Sequence, residues 1–230
     1  MSSILTAGER SLSVALQLAG LGWSVLPLCW PKPDGSCACP KGHKKKNSGK
    51  APLTPNGVNS ATTDTLAIEK WWADWPNANV GVALAPSGLV AIDCDSDEAI
   101  HEASELGLTP TVCRMSRWPA YVFQVTVDTP KTNRTQWGGS HKLDILGNGY
   151  LVVHGTHQTG REVYLDGEGL SEVPRWAVNA LSETSKAKSE PEPSASDRPP
   201  VTLTEDGIRW WNGELVVKTD GTVGKRLSDT

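Results

Sequence analysis

Aromatic residues other than tryptophan are scarce: one phenylalanine and three tyrosines stand beside ten tryptophans in 230 residues. Trp is large and often half-exposed, so most of the ten are expected in core and edge packing, with some free to form binding surface. Basic charge is not in excess. The formal net charge is −4 and the pI about 5.7, which excludes a protein that simply coats nucleic acid but not a local basic groove. No apolar run approaches a membrane span. The first residues, "MSSILTAGERSLSVALQLAGLGW", carry Glu9 and Arg10 and lack a basic start followed by an apolar stretch, so no secretory signal is expected. Five cysteines, an odd number without an export signal, read as thiols or metal ligands rather than a disulfide framework. The expected compartment is the cytoplasm. No G-x-x-x-x-G-K-[ST] occurs, so the chain has no P-loop motor of its own.

What is present suits one good-sized α/β domain with an appendage: 38% hydrophobic and 21% charged residues. Residues 6 to 20 have helical spacing, closed by Gly20 and Gly22, and Trp23 to Leu28 alternate as a strand. A long loop rich in Pro, Gly, Lys and Cys spans 29 to 60, a length that suggests a task or a metal. "TTDTLAIEKWWADW" starts with a cap at Thr63 or Asp64 and reads as a helix. "NVGVALA" and "GLVAIDCD" read as strands joined by a "PSG" hairpin signal, and "SDEAIHEASELG" as a helix with an acidic first turn. Residues 111 to 127 form two strands or one bent at Pro119. "HKLDILG" and "GYLVVHG" flank a tight turn at Gly147-Asn148-Gly149, "REVYLDG" follows, and a short helix lies near "PRWAVNALSE". The expected domain spans 1–182, followed by a low-complexity linker, 183–200, and a short C-terminal segment, 201–230.

The strand "SGLVAIDCDSDE" ends in two aspartates, Asp93 and Asp95. Two readings are open: a pair of carboxylates delivered to a metal, or a strand entering an ordinary acidic turn. Alternation puts both carboxylates on one side and Cys94 toward the core. Like charges so close repel unless a cation sits between them, and hard divalent metals prefer oxygen ligands. Asp144 lies between Leu143 and Ile145, alone on the polar side of an apolar strand, where an unpaired buried carboxylate is costly. D-x-D and a single D on neighbouring strands can hold one or two Mg²⁺ or Mn²⁺, an arrangement suited to in-line phosphoryl transfer.

The blocks "ALQLAGLGWSVLPL", "GKAPLTPNGVNSATTD", "IEKWWADWPNANVGVAL", "SGLVAIDCD" and "LDILGNGYLVVHGTHQTGREVYL" occur in the order seen in bifunctional primase/polymerase (prim-pol) domains, which the chain resembles over roughly residues 8 to 180. These belong to the archaeo-eukaryotic primase superfamily, typical of phages, plasmids and other mobile elements. The resemblance implies an α/β (α+β) fold, with an RRM-like catalytic core joined to a second αβ subdomain and a mostly antiparallel or mixed sheet. It implies templated nucleotidyl transfer with Mg²⁺ or Mn²⁺ on three carboxylates, here Asp93, Asp95 and Asp144. Single-stranded DNA and nucleoside triphosphates are the implied partners. A replicative helicase motor would come from a partner or a longer parent protein. By position His157 in "HGTHQTGREVY" lies near the site, and Lys50 of "GKAP" is a candidate phosphate contact or a solvated loop lysine.

One departure stands out. The family carries S-G-G-x-H before a Tyr-Phe strand, its His meeting the incoming triphosphate, whereas this chain reads "RMSRWPAYVFQV". Ser116 is kept, Arg117 and Trp118 replace the glycines, and Ala120 stands at the His position. Arg114 or Arg117 can supply the missing cation, since a guanidinium grips phosphate with two donors. Ser116, Arg114, Arg117, His157 and Lys50 are therefore the candidate nucleotide contacts. The departure keeps a second class open: a non-catalytic relative that binds nucleic acid or a replication partner. A metal-dependent phosphohydrolase on the same carboxylates is a third, with no positioned general base beside the D-x-D to favour it.

"CWPKPDGSCACPKGH" offers Cys29, Cys37, Cys39 and His43 as an S₃N set for a structural Zn²⁺. C-x-C is tighter than the usual C-x₂₋₄-C spacing, and Cys29 reads as the end of a strand instead of a ligand. Relatives end a Cys-rich insertion here in G-K-H-P, where this chain has G-K-A-P. The competing reading is a basic loop with incidental thiols, its lysines solvated or close to a template strand. His101 and His141 read as surface residues, and Trp71, Trp72 and Trp75 as helix packing rather than a base-stacking platform.

Overall fold

The computed structural model describes residues 6–108, 112–139, 142–167 and 169–189, with the short stretches 202–204 and 207–209. His141, most of the linker and "WWNGE" near 210 lie outside the described residues. In chain order the elements are α1 (Ala7–Gly20), β1 (Val25–Leu28), α2 (Thr65–Asp74), β2 (Asn79–Ala83), β3 (Leu89–Cys94), α3 (Asp97–Glu105), β4 (Val112–Met115), β5 (Ala120–Gln124), β6 (Asn133–Trp137), β7 (Leu143–Leu146), β8 (Tyr150–Thr156), β9 (Glu162–Gly167) and α4 (Arg175–Ser189). Local chemistry sets the helix starts. The Thr6 hydroxyl accepts from Glu9 N–H while the Glu9 carboxylate accepts from Thr6 N–H, a capping box for α1. Asp64 caps α2 through Leu66 N–H and Ser96 caps α3 through Ala99 N–H.

Nine strands form one sheet in the order β1-β2-β8-β9-β4-β5-β3-β7-β6. Every ladder in it is antiparallel, which gives the α+β class expected from the sequence. The pairing corrects one expectation. "PSG" is not a hairpin: Ala85–Ser87 make a single 3₁₀ turn, after which β3 pairs with β5 and β7 instead of β2. The turn at Gly147-Asn148-Gly149 likewise links strands with different partners, β7 to β3 and β6 but β8 to β2 and β9. Apolar runs short enough to turn sharply carry no information on which strand they will join. Residues 111 to 127 resolve into the paired strands β4 and β5. Strand β6 was not expected, because "NRTQW" is a mainly exposed edge strand without alternation.

Two apolar clusters hold the sheet. Val90, Ile92 and Cys94 of β3 join Phe123, Leu143 and Ile145 beneath α3 and α4. Leu89 and Ala91, facing the other way, join Ala120, Val122 and the residues of β1, β2, β8, α1 and α2. Each buried Leu, Ile or Val contributes about 1.5–3 kcal/mol. Trp72 is buried in the second cluster with its indole N–H on Ala78 O, and Trp71 and Trp75 pack against it, so this trio is core. Gly81 is required by close approach, since a Cβ there would meet Leu28 Cδ1 at 2.9 Å.

The chain divides by contacts into Met1–Ser185 and Lys186–Thr230. α4 continues to Ser189, seven residues into the stretch expected as linker. "ETSKAKS" has helix-compatible Glu, Ala and Lys and no proline before Pro191, so its low complexity did not end the helix. In the second unit Thr202–Thr204 (β10) and Gly207–Arg209 (β11) form an antiparallel pair. Among the described residues no helix is long and apolar enough to cross a membrane.

Candidate active site

Asp93 is the fifth residue of β3 and faces away from the cluster under α3 and α4, while Cys94 is buried within it. Antiparallel register sets Asp93 opposite Asp144 on β7 and opposite Ala120 on β5. Asp95 follows the strand, its N–H donated to Lys142 O before Ser96 caps α3. The three carboxylates thus converge at one end of two neighbouring strands. Burial pushes the Asp93 carboxyl up to about 6, Arg114 opposes the rise, and the charges of Asp95 and Asp144 add to it. Asp95 is raised as well, by desolvation and then by Asp144.

Asp144 is held by backbone. Gln136 N–H donates to its Oδ1 at 2.8 Å, from a left-handed residue (φ 52°) inside a bulge where β6 and β7 shift register. A non-glycine residue in that region is uncommon, and bulges re-aim groups beside functional sites.

Arg114 makes the main cationic contact. Its Nη2 donates to Asp93 Oδ1 at 2.5 Å and its Nη1 to Trp118 O at 3.3 Å, while its Nε is buried without a partner. Arg114 and Asp93 both stand opposite Ala120, on the strands to either side. Two strand spacings are about 9–10 Å, so the guanidinium must cross above the Ala120 methyl to reach the carboxylate. A histidine ring at 120 would stand in that path. The departure noted in the sequence and the Arg114–Asp93 pair are therefore one geometric arrangement.

A pocket of about 520 Å³ opens beside these groups. Asp93, Asp95, Arg114, Ser116, Arg117, His157 and Lys50 all line it, so the structure gathers every candidate nucleotide contact with two of the three carboxylates. Asp144 stands beside Asp93 without lining the pocket. Arg117 lies over the Trp118 ring, its Cζ 4.1 Å from the centroid, a cation–π contact that braces an exposed guanidinium.

Lys50 comes from the long loop, and its backbone is fixed from three sides. Lys50 O accepts from Tyr150 Oη at 2.9 Å, Lys50 N–H donates to Asn47 O at 3.2 Å, and Gly49 O accepts from Asn79 Nδ2 at 2.8 Å. Asn79 is 2% exposed and binds Thr156 too, donating from Nδ2 to its carbonyl and accepting from its N–H. Gly155 (φ 125°) makes room, since a Cβ there would sit 2.0 Å from Asn79 Oδ1. One buried amide thus brackets the Lys50 loop to the end of β8, immediately before His157.

His157 Nδ1 accepts from Thr159 N–H and lies 2.8 Å from Thr159 Oγ1, which leaves Nε2 to carry the proton in the neutral ring. Desolvation lowers its pKa, assisted by Lys50, Arg114 and Arg161. Asn79, Tyr150 and the Gln136 amide were not foreseen. Asn79 could have been found, as a polar residue opening the otherwise apolar "NVGVA".

The Cys/His residues gather separately. The ligand atoms of Cys29, Cys37 and His43 lie within 4.8 Å of one another, and Cys39 Sγ is 3.1 Å from Cys37 Sγ and 3.2 Å from His43 Nδ1. All three thiols are free and buried. Cys29 follows β1 directly, as its strand-end reading expects, and its Sγ lies within 4.8 Å of the Cys37 and His43 ligand atoms. His101 pairs with Glu105 on the exposed face of α3.

The family model for the bifunctional DNA primase/polymerase N-terminal domain matches residues 15–176. The chain belongs to that family. No curated protein matched the sequence. The prim-pol match runs from within α1 to the start of α4 and includes every residue lining the pocket.

Proposed function

We propose that this prim-pol domain performs metal-dependent, template-directed nucleotidyl transfer, making or extending primers on single-stranded DNA during replication of a phage or other mobile element. The observation that carries the reading is the convergence of Asp93, Asp95 and Asp144 beside a pocket bearing Lys50, Arg114 and Arg117. The donor set fits Mg²⁺ or Mn²⁺: it offers oxygen alone, and the carboxyl of Asp93 is raised by burial and by its neighbours in the way a cation would relieve. Charge supports the same fit. Three carboxylates against three cations leave the site near neutral, whereas a nucleoside triphosphate brings about four negative charges that two divalent cations would match. Bound there, such ions supply acidity to the attacking 3′-hydroxyl and offset charge on the leaving pyrophosphate.

The chain's own residues do the rest. Lys50, on its braced backbone, contributes a point charge to the phosphates, and Arg117 a fork of donors stiffened by Trp118. His157 as the neutral ring donates from Nε2. Arg114 pairs with Asp93 and lines the same pocket, so it takes the part of the histidine replaced by Ala120 toward the triphosphate. The Arg114–Asp93 pair also favours a second reading, a binding module whose guanidinium closes the metal site. Partners in either case are single-stranded DNA and, for a complete replication machine, a helicase.

A labelled primer on a single-stranded template, offered one dNTP at a time with Mn²⁺, separates the readings. Incorporation of the complementary nucleotide alone supports the proposal. Triphosphate cleavage without incorporation points to a phosphohydrolase, and DNA binding with neither activity to the binding module.

A further inference from the structure

The loop from Cys29 to Ala51 gathers three buried free thiols and one half-buried imidazole, although it contains no helix beyond one 3₁₀ turn at Lys45–Asn47. Its backbone is folded to bring them together. A Pro31↔Cys37 bridge and the Ala38 N–H bond to Trp30 O return the chain beside Cys29, and the Gly42 N–H bond to Cys39 O turns it toward His43. Tetrahedral zinc, with bonds of about 2.3 Å to sulfur and about 2.0 Å to nitrogen, needs ligand atoms about 3.5–3.8 Å apart. Cys37 Sγ and His43 Nδ1 are 3.7 Å apart and Cys29 Sγ completes a set of three within 4.8 Å, while Cys39, at 3.1 and 3.2 Å from Cys37 and His43, stands outside that set and becomes the fourth ligand only by moving away from those two. The shell beyond the ligands fits too: Ala51 N–H donates to Cys29 Sγ at 3.3 Å, the kind of bond that orients a thiolate ligand.

That last contact ties the cluster to the pocket. Ala51 follows Lys50, and its N–H is shared between Cys29 Sγ and Asn47 O. We propose that Cys29, Cys37, Cys39 and His43 bind one structural Zn²⁺, and that the metal clamps the loop so that Lys50 is presented to the nucleotide pocket. The site stands on its own donors; the clamp rests on the nucleotide-binding reading given above. Zinc here does no chemistry on the substrate. It replaces a core in a segment with too few apolar residues to make one.

The test uses the full chain produced with zinc in the medium. Elemental analysis should return one zinc per chain, and Co²⁺ exchange should give thiolate charge-transfer absorption with tetrahedral d–d bands. His43→Ala and Cys39→Ser should each lose the metal, and both avoid disturbing the fully buried Cys29. Trypsin should cut after Lys41, Lys44, Lys45, Lys46 or Lys50 about tenfold faster in His43→Ala than in the parent. Nucleotide affinity should fall about tenfold in His43→Ala and in Lys50→Ala, and no further in the double variant, since both remove one contact. Absence of zinc, or Co²⁺ without thiolate bands, overturns the site. Additive losses in the double variant overturn the clamp. If the zinc-loaded parent binds no nucleotide, the primer-synthesis reading and the clamp both fail, while the metal content and trypsin protection still decide the site.

Discussion

Arg114 on β4 reaches across the methyl of Ala120 on β5 to pair with Asp93 on β3. The arrangement couples three positions in one row of the sheet and governs both the charge of the acidic site and what position 120 can hold.

Ala120→His is therefore expected to destabilise the domain. Ala120 is fully buried, and the ring would compete with the Arg114 side chain for the same space. The expected cost is about 1–3 kcal/mol, as for other overpacked positions. It should shrink in an Arg114→Ala background, which vacates the path. Urea denaturation of the two single variants and the double gives the coupling directly; equal costs in both backgrounds would contradict the crossing geometry.

Asp93 predicts a pH dependence of the metal-free protein. Its folded pKa, raised to about 6, exceeds the ordinary carboxylate value because of burial and its acidic neighbours, so the folded state holds this proton more tightly than the unfolded chain. The stability it lends is fully present below the unfolded value near pH 4 and is lost as pH rises through about 6. Mn²⁺ should reverse that loss, raising Tm at pH 7.5 and much less at pH 5, where Asp93 is protonated. Thermal melts with and without Mn²⁺ across this range check it, against Asp93→Asn, in which this step should vanish.

Asn79 is expected to act on nucleotide binding without touching nucleotide. Asn79→Ala leaves Gly49 O and both backbone groups of Thr156 without their partner in a buried site, a loss of about 1–3 kcal/mol. The Lys50 loop loses its bracket, so triphosphate affinity should drop while Mn²⁺ affinity at the three aspartates holds. Titrating each ligand separately distinguishes this from general unfolding, which would weaken both.

How much of this was legible in the sequence depends on the range of the interaction. Strand alternation suffices to put Asp93 and Asp95 on one side of β3 with Cys94 opposite, and the lone polar position of Asp144 in β7 is equally local. That Asp93 and Asp144 face each other depends on pairing between segments about fifty residues apart, which periodicity does not encode and which the prim-pol resemblance supplied. The "PSG" turn misled for the same reason: a tight turn predicts a reversal, not a partner. Strand β6 was silent because its exposed polar residues carry no apolar pattern, yet it supplies the Gln136 amide that holds Asp144. The bracket by Asn79 joins residues 30 and 77 positions away along the chain. Only its polar character within an apolar strand hinted at a role.

The most direct test of the central claim is primer extension on single-stranded template with Mn²⁺ and dNTPs, comparing the parent with Asp93→Asn and Asp144→Asn. Three carboxylates acting as one metal site predict template-dependent product from the parent and a loss of at least about 10³-fold in either variant, several kcal/mol of transition-state stabilisation. A parent that binds dNTP yet extends nothing, or an Asp144→Asn variant that extends at the parent rate, would contradict it.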